Sequence, residues 1–199
     1  MTDAITTPAR TTIRTLDAAE AGARLDELAA ILVDAVAQGA SVNFMAGFSH
    51  EEGRAFWRRQ LPGLADGEKI LFVGEDRGRL IATVMLMHAP QPNAPHRADV
   101  GKMLVHSSAR RQGLGRRLLA AAETAALQSG HTLLMLDTES GSAGDRLYRS
   151  CGWREIGTVP DHSYKTNGRL AETTFFYKWL DPARAARPAR AAAAGVEKE

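Results

Sequence analysis

The chain has 199 residues, 44% hydrophobic and 24% charged, the balance of a soluble globular protein able to bury one sizeable core. No apolar run reaches the roughly 20 residues a membrane-spanning helix needs, and the first residues lack the apolar centre of a secretion signal. The single cysteine excludes an internal disulfide and the expected setting is cytoplasmic, while a net charge of +2 makes no case for nucleic acid.

Residues 1–10 are polar and unpatterned and read as a disordered arm; one domain is expected over 11–181. Residues 11–15 read as an edge strand. Over 16–38, Leu25, Leu28, Ala29, Leu32, Val33 and Val36 recur at helical spacing, with Asp17 as N-cap and Gly39 closing the helix. Ser49-His50-Glu51-Glu52 opens a second helix with a capping box; it runs past Phe56 and Trp57 and should stop at Pro62-Gly63. Residues 69–75 and 80–88 are apolar runs joined by Asp76-Arg77-Gly78-Arg79, a hairpin signal. Pro90, Pro92 and Pro95 mark a loop before a buried strand over 99–105.

A helix follows over 116–129, with Leu118, Leu119, Ala122, Ala125, Ala126 and Leu127 on one face, then a strand over 132–137 and a short helix ending near Ser150. Strands are expected at 154–158 and 173–180, with Asp161-His162-Ser163-Tyr164 in a long connection between them. Residues 182–199, rich in Ala, Arg and Pro, read as a disordered tail. The order β, α, α, β, β, β, α, β, α, β, β describes an α/β sandwich with a mixed, largely antiparallel sheet.

Between strand and helix lies Arg110-Arg111-Gln112-Gly113-Leu114-Gly115. Glycines let several N–H groups turn into one concavity, the first helical turn leaves its N–H groups unpaired, and arginine adds bidentate donors, so the loop is built to hold an anion. A Walker loop is excluded because Gly115 is followed by Arg116-Arg117, and a dinucleotide fingerprint because Leu118 stands where its third glycine belongs.

Arg-x-x-Gly-x-Gly after an apolar strand resembles the GCN5-related N-acetyltransferases (the GNAT family). A second segment, Arg146-Leu147-Tyr148-Arg149-Ser150-Cys151-Gly152-Trp153 after the strand over 132–137, is similar to that family's later signature. The resemblance implies a sheet splayed at the cofactor strand, helices on both faces, and acetyl-CoA as cosubstrate without a metal. It puts the pyrophosphate on Arg110, Arg111, Gln112, Gly113, Leu114, Gly115 and Arg116, and pantetheine along Met103, Leu104 and Val105. It also implies the Leu104 N–H as oxyanion donor and the Tyr148 hydroxyl near the sulfur, protonating the leaving thiolate. Many members carry Asn at the position of Gly141 and Ala at that of Gly144; here Ser142 is the candidate for the coenzyme contact.

For the general base Asp137 is favoured, since the end of a strand at the sheet split should be partly desolvated; Glu139, His50, His88, His162 or a water relay remain open. Cys151 reads as a small buried residue rather than a nucleophile, and no His/Cys spacing suggests a metal. The glycine-bearing connection over 38–49 with Val42, Phe44 and Met45, together with Trp57, could wall an acceptor pocket, in which Glu51, Glu139 or Asp161 would meet the amine. Leu136-Asp137-Thr138-Glu139 with Gly141-Ser142, and Asn167-Gly168-Arg169-Leu170, are similar to tabtoxin-resistance-type members. The expected activity is acetyl transfer to the primary amine of a small molecule by direct attack in a ternary complex. Acetylation of a protein N-terminus or lysine, or non-catalytic acyl-CoA sensing, are the alternatives. No nucleic acid or membrane partner is expected, and the protein should be a monomer or homodimer.

Overall fold

The computed structural model describes residues 11–181; the expected arm at 1–10 and tail at 182–199 lie outside the described residues. In chain order the elements are β1 (Thr12–Leu16), α1 (Ala18–Ala23), α2 (Leu25–Ala37), α3 (His50–Arg58), α4 (Leu61–Ala65), β2 (Lys69–Asp76), β3 (Arg79–His88) and β4 (Arg97–Val105). A 3-10 turn (Ser107–Ala109) leads to α5 (Leu114–Gln128), β5 (Leu133–Glu139), α6 (Ala143–Ser150), β6 (Arg154–Tyr164) and β7 (Leu170–Trp179). All the strands join one sheet in the order β1-β2-β3-β4-β5-β7-β6. Only β4 and β5 pair in parallel; every other pair is antiparallel, as expected from the sequence.

Period-two alternation sends successive strand residues into two separate cores. Phe72, Ala82, Val84, Leu86, Ala98 and Val100 pack with Leu118, Leu119 and Ala122 of α5. Leu71, Val73 and Met85 point the other way, against Leu28, Ile31 and Leu32 of α2 and Trp57 of α3. Gly53 lets α3 lie against α2, since a Cβ there would come 3.0 Å from that of Ala29.

Three boundaries differ from the sequence expectation. The helix expected over 16–38 breaks at Arg24, which leaves helical geometry (φ −115°, ψ 24°). Pro62 does not end a helix but sits in the first turn of α4, where its missing N–H costs nothing. Strand β6 continues to Tyr164 and β7 starts at Leu170, so Asp161 to Tyr164 belong to an irregular hairpin strand rather than a long connection. Its pairing slips between Glu155 and Gly157 and again between Val159 and Ser163, with Asp161 at φ +52°.

The break at Arg24 has a cause in charge pairing. Its guanidinium donates to both Glu27 oxygens (2.7 and 2.8 Å), to Glu75 (2.9 Å) and to the Gly78 carbonyl (2.6 Å), tying the α1–α2 junction to the β2–β3 turn. Arg14 completes the group through Glu75 at 2.7 Å and Glu20 at 3.0 Å. The Arg24 hydrogen bonds hold the Glu27 carboxyl below the usual carboxylate range, and those from Arg14 and then Arg24 do the same for Glu75. A depressed carboxyl adds stability above its unfolded pKa and loses it as pH falls through the folded one. Denaturant titrations should therefore show stability falling below about pH 5. Glu75→Gln should cost about 1–3 kcal/mol at neutral pH and flatten that acid limb; an unchanged limb would remove the network from the account.

Candidate active site

Strands β4 and β5 pair only at Arg97–Leu133, Ala98–Leu134 and Asp99–Met135. Beyond Asp99 they diverge, and β5 continues on its other edge against β7 as far as Glu139–Thr173. The stretch of β4 from Val100 onward thus has a partner only in β3. That pairing is itself interrupted: Met85 faces Gly101 and Thr83 faces Leu104, leaving an extra residue in β4. The bulge sits at Lys102, at φ +48°, and the buried Thr83 hydroxyl donates to its carbonyl at 2.8 Å. One inserted residue exchanges the faces of everything beyond it. Accordingly Met103 and Val105 turn to the α5 core, while Leu104 turns to the α2 core.

The gap between β4 and β5 opens into a cavity of about 1090 Å³. At one end is the Arg/Gly loop. Gly113 caps α5 in the left-handed region (φ +75°), with no side-chain cap. Arg117 makes the first helical bond, to the Gly113 carbonyl at 3.1 Å, so the N–H groups of Leu114, Gly115 and Arg116 have no intrahelical partner. Gly115 also lets α5 meet α6, since a Cβ would come 3.0 Å from Leu147.

Of the arginines, Arg110, Arg111 and Arg116 line the cavity, the last anchored on Ser150 at 3.0 and 3.2 Å. Arg110 folds back, its Nε donating to the Val105 carbonyl at 3.0 Å and its guanidinium 3.8 Å from Asp34. Arg117 is turned away, to the Thr11 carbonyl, and Gln112 is exposed outside the lining. A residue that sequence reasoning missed fixes this approach: Asp34 of α2 accepts from the Ser107 N–H (2.7 Å) and hydroxyl (2.6 Å).

Towards the other end, Met103, Leu104, Val105, Asp137, Glu139, Ser142 and Tyr148 all line the same cavity. Tyr148 is 6% exposed, packed on Trp153 and Phe176. Burial, then the charge of Asp137, pushes its phenol well above the usual range, so it stays protonated. Asp137 is exposed, against the expectation of partial desolvation. Ser142 is engaged as the N-cap of α6, accepting from the Asp145 N–H at 3.1 Å. Glu139 is paired with Lys165 at 2.5 Å. Asp99 and Lys102, read from sequence only as strand residues, also line the cavity. Burial pushes the Asp99 carboxyl up and pulls the Lys102 ammonium down.

Residues 33–153, more than half of the chain, match the model of the acetyltransferase (GNAT) family. The chain belongs to the GNAT acetyltransferase family. Its fold is shared with an N-acetyltransferase from Staphylococcus aureus (20% identity, TM-score 0.67, 86% of this chain and 99% of that one). It is shared too with an acetyltransferase from Salmonella typhimurium solved with acetyl-CoA (22% identity, TM-score 0.69, 92% and 99%). A ribosomal-protein-alanine N-acetyltransferase from Brucella melitensis is also similar (27% identity, TM-score 0.65, 84% and 99%).

This GNAT protein is therefore an acetyl-CoA-dependent N-acetyltransferase, and its residues fit that cosubstrate. Free N–H groups and cavity-lining arginines are suited to a diphosphate, and an unpaired strand edge runs from there into the cavity. Bound there, the coenzyme supplies the activated acetyl group.

The residues expected to face the acceptor do not all gather here. Phe44 lines a neighbouring recess of about 480 Å³ with Met45 and Phe48. Trp57 is a core residue, 1% exposed, with its indole N–H donating to the Leu28 carbonyl at 2.9 Å. Glu51 and Asp161 are exposed and outside the cavity lining. His50 faces the Asp26 carbonyl, His88 stacks on His131 and His162 packs on Phe175; none lines the cavity. Cys151 packs against the α5 core, half-buried rather than fully buried as the sequence suggests. No helix among the described residues is long and apolar enough to cross a membrane.

If Asp34 pins the approach to the Arg/Gly loop, Asp34→Ala should cost about 1–3 kcal/mol and release the Ser107 amide. Hydrogen exchange over residues 106–110 should quicken; unchanged protection would show the turn holding without it.

Proposed function

We propose that the protein transfers the acetyl group of acetyl-CoA to a primary amine of a small cytoplasmic molecule, by direct attack in a ternary complex. The observation that carries this reading is a pair of ties that bridge the cavity's acceptor end. The loop whose Val42 and Asn43 line the cavity is tied to the β6–β7 turn by the Ala46 N–H, which donates to the Thr166 carbonyl at 3.0 Å. Lys165 ties the same turn to Glu139. An end bridged in this way suits a compact amine better than a long peptide, which needs an unobstructed groove. The likeness of 136–142 and 167–170 to tabtoxin-resistance-type members agrees with a small amine-bearing acceptor.

In this reading the first-turn N–H groups of α5, with Arg111 and Arg116, take the pyrophosphate, and Met103 to Val105 present backbone to pantetheine. The Leu104 N–H is the oxyanion donor. Tyr148, held neutral by its burial, donates a hydrogen bond to the departing sulfur. Asp137, with the more buried Asp99 beside it, takes the amine proton directly or through water; a carboxyl raised by burial is the better matched of the two to that task. Acetylation of a protein N-terminus is the second reading, favoured by the similarity to a ribosomal-protein-alanine acetyltransferase.

Calorimetry should show acetyl-CoA binding that weakens at least tenfold in Gly113→Asp, which sets a carboxylate against the diphosphate and strains the left-handed cap; equal affinity would empty the loop of its role. Thiol release should be seen with members of a panel of small primary amines and not with peptides bearing free N-termini; the reverse would install the second reading. Tyr148→Phe should lower turnover by about 100-fold with little change in acetyl-CoA affinity, and an unchanged rate would return Tyr148 to the core.

A further inference from the structure

Lys102 is a half-buried lysine whose ammonium has no carboxylate partner among the described residues. Its Nζ lies 5.8 Å from the centre of the Phe44 ring and 5.4 Å from that of Phe56. Among the described residues its ammonium makes one hydrogen bond, a long one, 3.4 Å to the Val42 carbonyl. No carboxylate among the described residues is paired with it; Asp137 acts on it only from a distance. Aromatic faces soften the charge but offer no acceptor lone pairs. An ammonium taken from water with most of its donors unanswered is costly, and such groups normally find a paired carboxylate.

Its position is the product of a device. Ala98 and Val100 face the α5 core, and regular alternation would have sent residue 102 after them. The bulge at 102, held by the Thr83 hydroxyl and kept in left-handed geometry on a non-glycine residue, aims Lys102 instead at the α2–α3 loop. Strain and an unpaired charge are retained at the same residue, one that lines the cavity the coenzyme reading assigns to the acetyl group.

Asp99 and Asp137 line the same cavity. The cavity thus offers carboxylates for an amine and a separate ammonium that no carboxylate among the described residues pairs with. We propose that Lys102 holds the carboxylate of the acceptor, so that the acceptor is an amino acid-like molecule carrying both a primary amine and an acid group. This rests on the small-molecule reading above. A polycationic amine would instead meet repulsion from Lys102 and leave it unpaired.

The test compares matched pairs: free amino acids against their carboxamides, with thiol release followed at saturating acetyl-CoA. The wild-type enzyme should turn over at least one free amino acid with a kcat/KM tenfold or more above that of its amide. Lys102→Met keeps the length and removes the charge; the ratio should collapse towards one through a raised KM. Lys102→Arg should restore part of it. The Kd for acetyl-CoA and the melting temperature, measured alongside, establish that the variants are folded. Small amines turned over with no preference for the acid-bearing member, or a preference that survives Lys102→Met, would overturn this assignment alone. Turnover of small amines but of no acid-bearing one would likewise overturn it alone, and turnover confined to peptides would overturn it together with the small-molecule reading.

Discussion

Beyond Asp99 and Met135 the two central strands stop sharing hydrogen bonds, and everything else in the molecule is arranged around that parting. Backbone polar groups left unanswered inside a protein cost about 1–3 kcal/mol each, so a sheet opens in its middle only if other contacts hold the halves. Here the left half, β1 to β4, is held by α2 on one face and α5 on the other, through two cores that share no buried residue. The right half is built on β7, which gives β5 the full-length partner that β4 does not. The strand edge exposed in this way lies in line with the free N–H groups at the start of α5. An elongated molecule with an anionic end and amide-bearing middle meets complementary groups along its length.

The parts of this arrangement that were legible in the sequence are those encoded locally. A run of glycines and arginines between an apolar strand and an amphipathic helix carries its own geometry, because the left-handed cap at Gly113 and the unpaired first turn need nothing from afar. The same holds for the capping box at Ser49 and Glu52, and for the hairpin at Gly78. Tyr148 and Asp137 reached the cavity because the second signature fixes them relative to β5 and α6.

What was illegible depends on distant partners. Arg24 leaves the helix for Glu75 and Gly78, more than 50 positions away, and no helical periodicity reports such a pull. The bulge at Lys102 carries no glycine to announce it; it is set by a threonine on the next strand. The sequence places Lys102 in a buried strand over 99–105 but carries no signal for the direction its ammonium takes, which the bulge decides. Trp57 errs in the other direction: an aromatic beside a variable loop reads as a pocket wall, yet its indole is satisfied by Leu28 in the core. Strand β6 was read too short because Pro160 and Asp161 break its pattern without ending its pairing with β7.

That broken strand has a bearing on how copies of the molecule can meet. As the last member of the sheet, β6 offers its outer side to solvent, and an intact row of amides there would invite another chain to extend the ladder. Two register slips, a proline lacking a donor and a left-handed aspartate divide that row into short pieces. Through its middle the rim is a poor template for growth, so the enzyme can expose a sheet border at high concentration without recruiting its neighbours into a continuous fibre-like stack.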